Sequence, residues 1–209
     1  MTWKNDQVSE FETEKIIALA REQSSCEGDF VEFGCYKGDT SLLLAEVLSG
    51  LQSMACGKTV EKSVEKKLWV YDSFEGLPEK NEMDESELGK DFKKGELTVT
   101  KREVKKRFLR AGLPLPVIKK AWFDELSNTD LPEKIALAFL DGDFYESIKV
   151  SLNLVEDKIA KNGVIIVHDY KNEALPGVAK AVDEWMAKQK FEKEIYKSMI
   201  IMRMEKKNG

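Results

Sequence analysis

Four apolar runs in this sequence stop on charged or polar groups that could do chemistry. Ile135–Leu140 gives way to Asp141, with Asp143 two residues on, and the run ending at Val167 is followed by His168, Asp169 and Tyr170. "DFVEFGCYKGD" carries Glu32 just before Gly34 and Gly38, and "LWVYDSFEG" turns polar at Asp72. A carboxylate in such a place can accept hydrogen bonds from a ligand, balance a positive charge or take up a proton. Left without a partner at the end of a buried strand it would be costly. The two glycines permit a tight turn and a close approach to the following helix, with Tyr36 between them and Thr40 at the helix start. They are not spaced as GxGxxG, and no GxxxxGK[ST] occurs.

An acid ahead of such a loop suits a positive amino group better than a pyrophosphate, which is a task for Glu32. An acid at the end of the next strand, Asp72 with Ser73 behind it, suits two ribose hydroxyls. Together the two loops call for a nucleoside with a cationic tail, and S-adenosylmethionine fits that description. Trp122 and Phe123, after a third strand, stand where they could flank an adenine, or they are aromatic packing at the sheet edge. Each loop taken alone also reads as a plain turn.

The elements that would position these groups alternate along the chain. Ser9 to Glu12 is a capping-box pattern that opens a helix through about Gln23, within an N-terminal helical segment of residues 1–28. A strand over 29–34 leads to a helix over 39–50, with Asp39 or Thr40 as its N-cap. Residues 51–67 read as a helix end and a loop. A strand begins at 67, and residues 80–102 form an exposed excursion. A helix over 102–112 closes on Gly112, and the whole stretch 80–112 is a candidate lid. Strands follow at 115–122 and 135–141. Helical spacing runs from Ile148 through Ile159, a strand covers 163–170, a helix 177–190, and one or two strands close the chain at 193–204. Such alternation predicts one α/β domain over residues 1–209, with a mostly parallel sheet and helices on both faces. Ligands of such sheets bind beyond the carboxyl ends of the strands, where the acids lie.

The chain has 209 residues and a formal net charge of -5, which argues against a nucleic-acid partner. No apolar run is long enough to span a membrane, and the polar N-terminus shows no signal peptide. Three cysteines without CxxC spacing read as reduced thiols of a cytoplasmic protein.

"VEFGCYKGDTS", "LWVYDSFEGLPE", "AWFDELSNTDLPEKIALAFLDGDFYES" and "VIIVHDY" with "GVAKAVDEW" resemble, in order and spacing, the macrocin O-methyltransferase (TylF-like) family. The resemblance implies a Rossmann-like domain with a seven-stranded sheet. It also implies S-adenosylmethionine-dependent O-methylation of a small-molecule hydroxyl, on a sugar or glycoside, assisted by a divalent cation, usually Mg2+; Mn2+ becomes the preference if His168 coordinates. A homodimer is compatible with it. By the resemblance Asp141 and Asp169 hold the metal. The family's usual Asp-Asp-Tyr reads His168-Asp169-Tyr170 here, so His168 is a metal ligand, a base or a supporting hydrogen-bonder. Strand alternation, which would turn His168 away from Asp169, favours the supporting role as much as the others. Asp141 is the first choice for the base and His168 the second. Asp143 caps the following helix, the favoured reading, or meets the cofactor's amino group. Two other functions compete: an inactive binding protein of the same fold, and a catechol-type O-methyltransferase. The latter usually carries a lysine where this chain has Phe144.

Overall fold

The computed structural model describes residues 7–50 and 66–204. The elements are α1 (Glu10–Gln23), β1 (Asp29–Phe33), α2 (Asp39–Leu48), β2 (Leu68–Asp72), α3 (Lys101–Ala111), β3 (Val117–Lys120), β4 (Ile135–Leu140), α4 (Tyr145–Glu156), β5 (Ile159–Val167), α5 (Pro176–Met186), β6 (Phe191–Tyr196) and β7 (Met199–Met204). The strands form one seven-stranded sheet in the order β3-β2-β1-β4-β5-β7-β6. All neighbours are parallel except β5 with β7 and β6 with β7. The strand order reverses between β1 and β4, which opens a crevice above their carboxyl ends.

β4 lies at the centre and all six of its residues are buried. Its side chains divide between two cores. Ile135, Ala138 and Leu140 pack with α4 and α5 on one face, while Leu137 and Phe139 pack with α1, α2 and α3 on the other. Each fully buried aliphatic or aromatic side chain contributes about 1.5–3 kcal/mol. β4 therefore outweighs the cost of ending on a half-desolvated carboxylate.

Local signals account for several boundaries. Ser9 and Glu12 cap α1 reciprocally, the Glu12 amide donating to Ser9 Oγ at 3.4 Å and the Ser9 amide to Glu12 Oε2 at 3.2 Å. Gly112 ends α3 in the left-handed region. Other expectations are corrected. The N-cap of α2 is Gly38, with φ of 80°, and not Asp39 or Thr40. The α4 pattern breaks at Glu156, and Ile159 opens β5, because a register shift lets β5 start before Gly163. β5 in turn stops at Val167, so His168–Tyr170 is a turn and not strand. α5 ends at Met186, short of Lys190. The loop expected over 51–67 falls almost wholly outside the described residues.

The excursion after β2 contains a 3-10 turn, Glu82–Asp84. Most of its side chains are exposed, but Asp84 is only 1% exposed.

Candidate functional site

The strand ends are in register. Phe33 pairs with Tyr71 and Leu140, and Leu140 with Val167. The next residues, Gly34, Asp72, Asp141 and His168, therefore stand side by side. Backbone bonds hold the row: Gly34 N–H to Tyr71 O (2.9 Å), Asp141 N–H to Phe33 O (2.8 Å) and His168 N–H to Leu140 O (3.0 Å). Above it lies a cavity of about 340 Å³. Of the residues the sequence singled out, Glu32, Gly34, Tyr36, Thr40, Asp72, Ser73, Trp122, Phe123, Asp141, Asp143, His168 and Asp169 line it, and Gly38 does not.

Asp141, His168 and Asp169 form one cluster. His168 Nδ1 lies 3.0 Å from Asp141 Oδ1 and 3.1 Å from Asp169 Oδ2. The alternation argument for His168 fails because β5 has ended. Asp169 adopts φ of 58°, which brings its carboxylate to the same side as the imidazole. That turn is fixed by Asn172, which donates from its amide N–H to Asp169 O (3.0 Å) and from Nδ2 to Asp169 Oδ1 (2.9 Å). Burial alone would push the His168 imidazole down, but Asp141 and Asp169 hold it well above its ordinary value. One ligand atom from each of the three residues lies within 4.8 Å of the others. Two carboxylates and an imidazole fit a divalent ion, and the nitrogen tilts the set from magnesium toward manganese or another first-row metal.

The glycine loop wraps the other side. Gly34 has φ of 81°, and a Cβ there would collide with the Asp141 carbonyl. The glycine is thus required by the neighbouring strand end as well as by any ligand. Gly38 packs against Val104 of α3, so its openness serves a helix contact. Glu32 is 1% exposed, and its only described hydrogen-bond donor is the Ser41 hydroxyl. Burial, reinforced by Asp141, Asp72 and Asp39 and partly offset by Ser41, pushes its carboxyl up to about 8. Cys35 is buried, and burial beside Asp72 and Glu32 pushes its thiol up, so it is no thiolate nucleophile. Asp72 Oδ2 accepts from the Cys35 and Tyr36 amides at 2.8 and 3.2 Å, and its Oδ1 from Phe74 N–H at 2.7 Å. It therefore shapes the loop and still borders the cavity. Arg107 braces the loop from α3, pairing with Asp39 and donating to Lys37 O at 2.6 Å. Phe123 stands edge-on to Phe33 at 5.2 Å between centroids, and both Trp122 and Phe123 are half-buried.

Asp143 does not cap α4. It sits one residue too early, with φ of 60°; the N-cap is Phe144, which offers no side-chain acceptor. Half-buried, Asp143 makes no hydrogen bond to a described residue. Burial, and then the charges of Asp141 and Asp169, push its carboxyl well above the ordinary range. The cap comes from Asp84, whose Oδ1 accepts from Tyr145 N–H at 2.7 Å. Asp84 was missed in the sequence, along with Leu77, Asn81 and Leu97, which join it in lining the cavity from the excursion. The one local signal was the N-x-x-D spacing of Asn81 and Asp84, a capping pair for the 3-10 turn. No helix among the described residues is long and apolar enough to cross a membrane.

Comparison with known proteins places the chain in a family. A family model described as Macrocin-O-methyltransferase (TylF) matches residues 12–201. A Streptomyces olivaceus protein named 8-demethyl-8-(2,3-dimethoxy-alpha-L-rhamnosyl)-tetracenomycin-C 4'-O-methyltransferase is 30% identical over 153 residues, covering 70% of this chain and 54% of that one. Demethyldecarbamoylnovobiocin O-methyltransferase of Streptomyces niveus is 28% identical, covering 77% of this chain and 59% of its own length. The chain thus spans little more than half the length of these relatives. Among solved structures, the O-methyltransferase NovP superposes with a TM-score of 0.74 at 24% identity, covering 93% of this chain and 79% of that chain. The calicheamicin methyltransferase CalS11 does so with 0.68 at 18% identity, over 91% and 77%. Both share the fold.

Proposed function

The chain belongs to the macrocin-O-methyltransferase (TylF) family, and from that premise we propose that it moves a methyl group from S-adenosylmethionine to a hydroxyl of a neutral sugar or glycoside. The observation that carries the reading is the in-register row of strand ends, which collects Glu32, Asp72, Asp141, His168 and Asp169 around one cavity. S-adenosylmethionine supplies the reactive methyl on a sulfonium, and transfer is a direct displacement that needs the acceptor oxygen in line at near-attack distance.

Asp72 accepts from the ribose hydroxyls, Glu32 faces the amino group, and Tyr36, Thr40 and Ser73 border the same half. Trp122 and Phe123 flank the adenine. Asp141, His168 and Asp169 would hold a divalent ion, which as a Lewis acid lowers the pKa of the acceptor hydroxyl. Asp143 is the best-placed proton acceptor once such an ion offsets the charges of Asp141 and Asp169, which otherwise add to burial in pushing its carboxyl up. Asp141, the first choice from sequence, already shares its Oδ1 with His168, whereas Asp143 faces the cavity with no described hydrogen-bond partner. Among the described lining residues the cationic groups are Lys37 and His168, against a majority of carboxylates. Away from the ion's own position such a wall disfavours phosphate and suits an uncharged acceptor, in keeping with the rhamnosyl group in one relative's name.

The test is methyl transfer from labelled S-adenosylmethionine to a panel of neutral glycosides, with Mg2+ or Mn2+ and after chelation. Transfer that needs the ion supports the whole reading. Undiminished transfer after chelation removes the metal from it, and a folded protein with no calorimetric affinity for S-adenosylmethionine overturns it.

A further inference from the structure

The excursion between β2 and α3 is pinned down by one buried carboxylate. Asp84 Oδ1 accepts from Tyr145 N–H at 2.7 Å, and its Oδ2 accepts from Asn81 N–H at 3.1 Å. On its far side is the start of α5, where a Cβ on Gly177 would collide with Asp84 Oδ1. Neighbouring contacts complete the seam: Lys180 Nζ donates to Met83 O at 2.9 Å, and Ser86 Oγ to Ala174 O at 3.2 Å. The excursion is thus wedged between the first turns of α4 and α5, and its Leu77, Asn81 and Leu97 form one wall of the cavity.

The turn that Asp84 completes is the one that carries the acid cluster. From Asp141 the backbone passes through Gly142 to Asp143 in the left-handed region, and Phe144 N–H closes back onto Gly142 O at 2.6 Å. Phe144 cannot cap α4, so the first helical N–H depends on a residue 61 positions earlier in the chain. An αL aspartate followed by an uncapped helix start has little to hold it in place.

We propose that Asp84 is a positioning residue for this site: by capping α4 from the excursion it sets the Asp141–Asp143 turn and, with the same carboxylate, docks the wall that faces the acceptor. Wall and acid cluster then move as one body. The proposal rests on the metal and methyl-transfer reading above, so its test includes a measurement independent of either.

Asp84→Ala, Asp84→Asn and Gly177→Ala are compared in the full chain by amide exchange, Mn2+ calorimetry and S-adenosylhomocysteine calorimetry. A hydrogen bond to a charged group that is lost at a buried amide corresponds to a change on the order of tenfold or more. Asp84→Ala is expected to speed exchange of amides 142–146 by about that factor and to weaken Mn2+ binding several-fold. S-adenosylhomocysteine affinity should stay within about threefold, because the glycine loop and Asp72 are untouched. Asp84→Asn keeps an acceptor for Tyr145 N–H but sets an NH2 group against Asn81 N–H, so exchange over 142–146 is expected to stay close to the parent while the excursion itself loosens. Gly177→Ala leaves the carboxylate in the chain but puts a Cβ against both Asp84 Oδ1 and the Tyr145 backbone nitrogen, and is expected to speed the same exchange at least as much. If Asp84→Ala does not fold, a folded Gly177→Ala protein with parental exchange over 142–146 still overturns the proposal. A folded Asp84→Ala protein with parental exchange over 142–146 and parental Mn2+ affinity overturns the proposal. So does an asparagine variant whose amides 142–146 exchange as fast as those of the alanine one, since its acceptor for Tyr145 N–H is intact. Should the parent protein take up no Mn2+, the metal reading falls, and the exchange comparison still decides whether Asp84 holds the turn.

Discussion

Glu32 offers the sharpest test of how this site is built. Replacing it by glutamine keeps its shape and an oxygen for the Ser41 hydroxyl, and removes only the charge. The folded chain holds the Glu32 proton up to about pH 8, against an ordinary value of 4.5. Burial is the main cause, with repulsion from Asp141, Asp72 and Asp39 adding to it. The sign follows directly. Below pH 4.5 the residue is protonated in both folded and unfolded chains and costs nothing. Between 4.5 and 8 the unfolded chain gives up a proton that the folded chain keeps, so stability falls as pH rises, and above 8 the loss levels off. At pH 7, with roughly 1.4 kcal/mol per pH unit, the penalty is about 3 kcal/mol. Glu32→Gln should recover most of it, a rise in Tm of roughly 6–12 °C for a chain of this size. The gain should vanish near pH 4.5. Thermal denaturation of both proteins from pH 4.5 to 8.5 measures this. The price appears at the cofactor: the variant should bind S-adenosylmethionine more weakly, because a neutral amide cannot balance the amino group. The parent should release a proton on binding near pH 7, seen as a buffer-dependent heat, and the variant should not. Parallel Tm-versus-pH curves for the two proteins would refute the reasoning, since they would mean that Glu32 is not desolvated as its burial implies.

Asp141→Asn and Asp169→Asn should each lower turnover by at least about a hundredfold while changing cofactor affinity little, because a metal there serves the acceptor and not the sulfonium; steady-state kinetics beside calorimetry checks this. His168→Ala should weaken Mn2+ binding in the same calorimetry, and unchanged metal affinity would return the imidazole to a supporting role. Asp72→Ala should cost about 1–3 kcal/mol of S-adenosylmethionine binding, part of it through the Cys35 and Tyr36 amides it leaves without an acceptor. Gly34→Val should lose metal and cofactor binding together, because its side chain displaces the Asp141 carbonyl; a variant that loses only the cofactor would show that the glycine serves the ligand alone.

The strand-end acids were legible in the sequence because the signal is local: a run such as Ile135–Leu140 can only be buried, and a charge that ends it needs a reason to be there. The capping pair Ser9 and Glu12 and the stop at Gly112 were legible for the same cause. The side to which His168 turns was not legible, because side-chain alternation holds only while a strand continues. Where β5 stops is decided by a turn whose residues, Asp169 and Asn172, carry no strand or helix period. The early start of β5 was hidden similarly, since its first residues complete the apolar spacing of α4.

Asp84 shows the limit more plainly. A helix start demands an N-cap of extended backbone with an acceptor that can reach the first free amides. From sequence Asp143 is the obvious donor of that acceptor, one residue ahead of Phe144. Its backbone, however, is spent on turning the chain from β4, with φ of 60°, and Phe144 takes the extended N-cap position at φ of -115° with no oxygen to offer. The acceptor must then come from another part of the fold, and the polar stretch around Asp84 gives no periodic sign that one of its acids is buried. That substitution of one aspartate for another has a chemical consequence. Relieved of capping, Asp143 lines the cavity with no described hydrogen-bond partner, and an ion held by Asp141 and Asp169 would offset the charges that add to burial in pushing its carboxyl up, freeing it to take a proton.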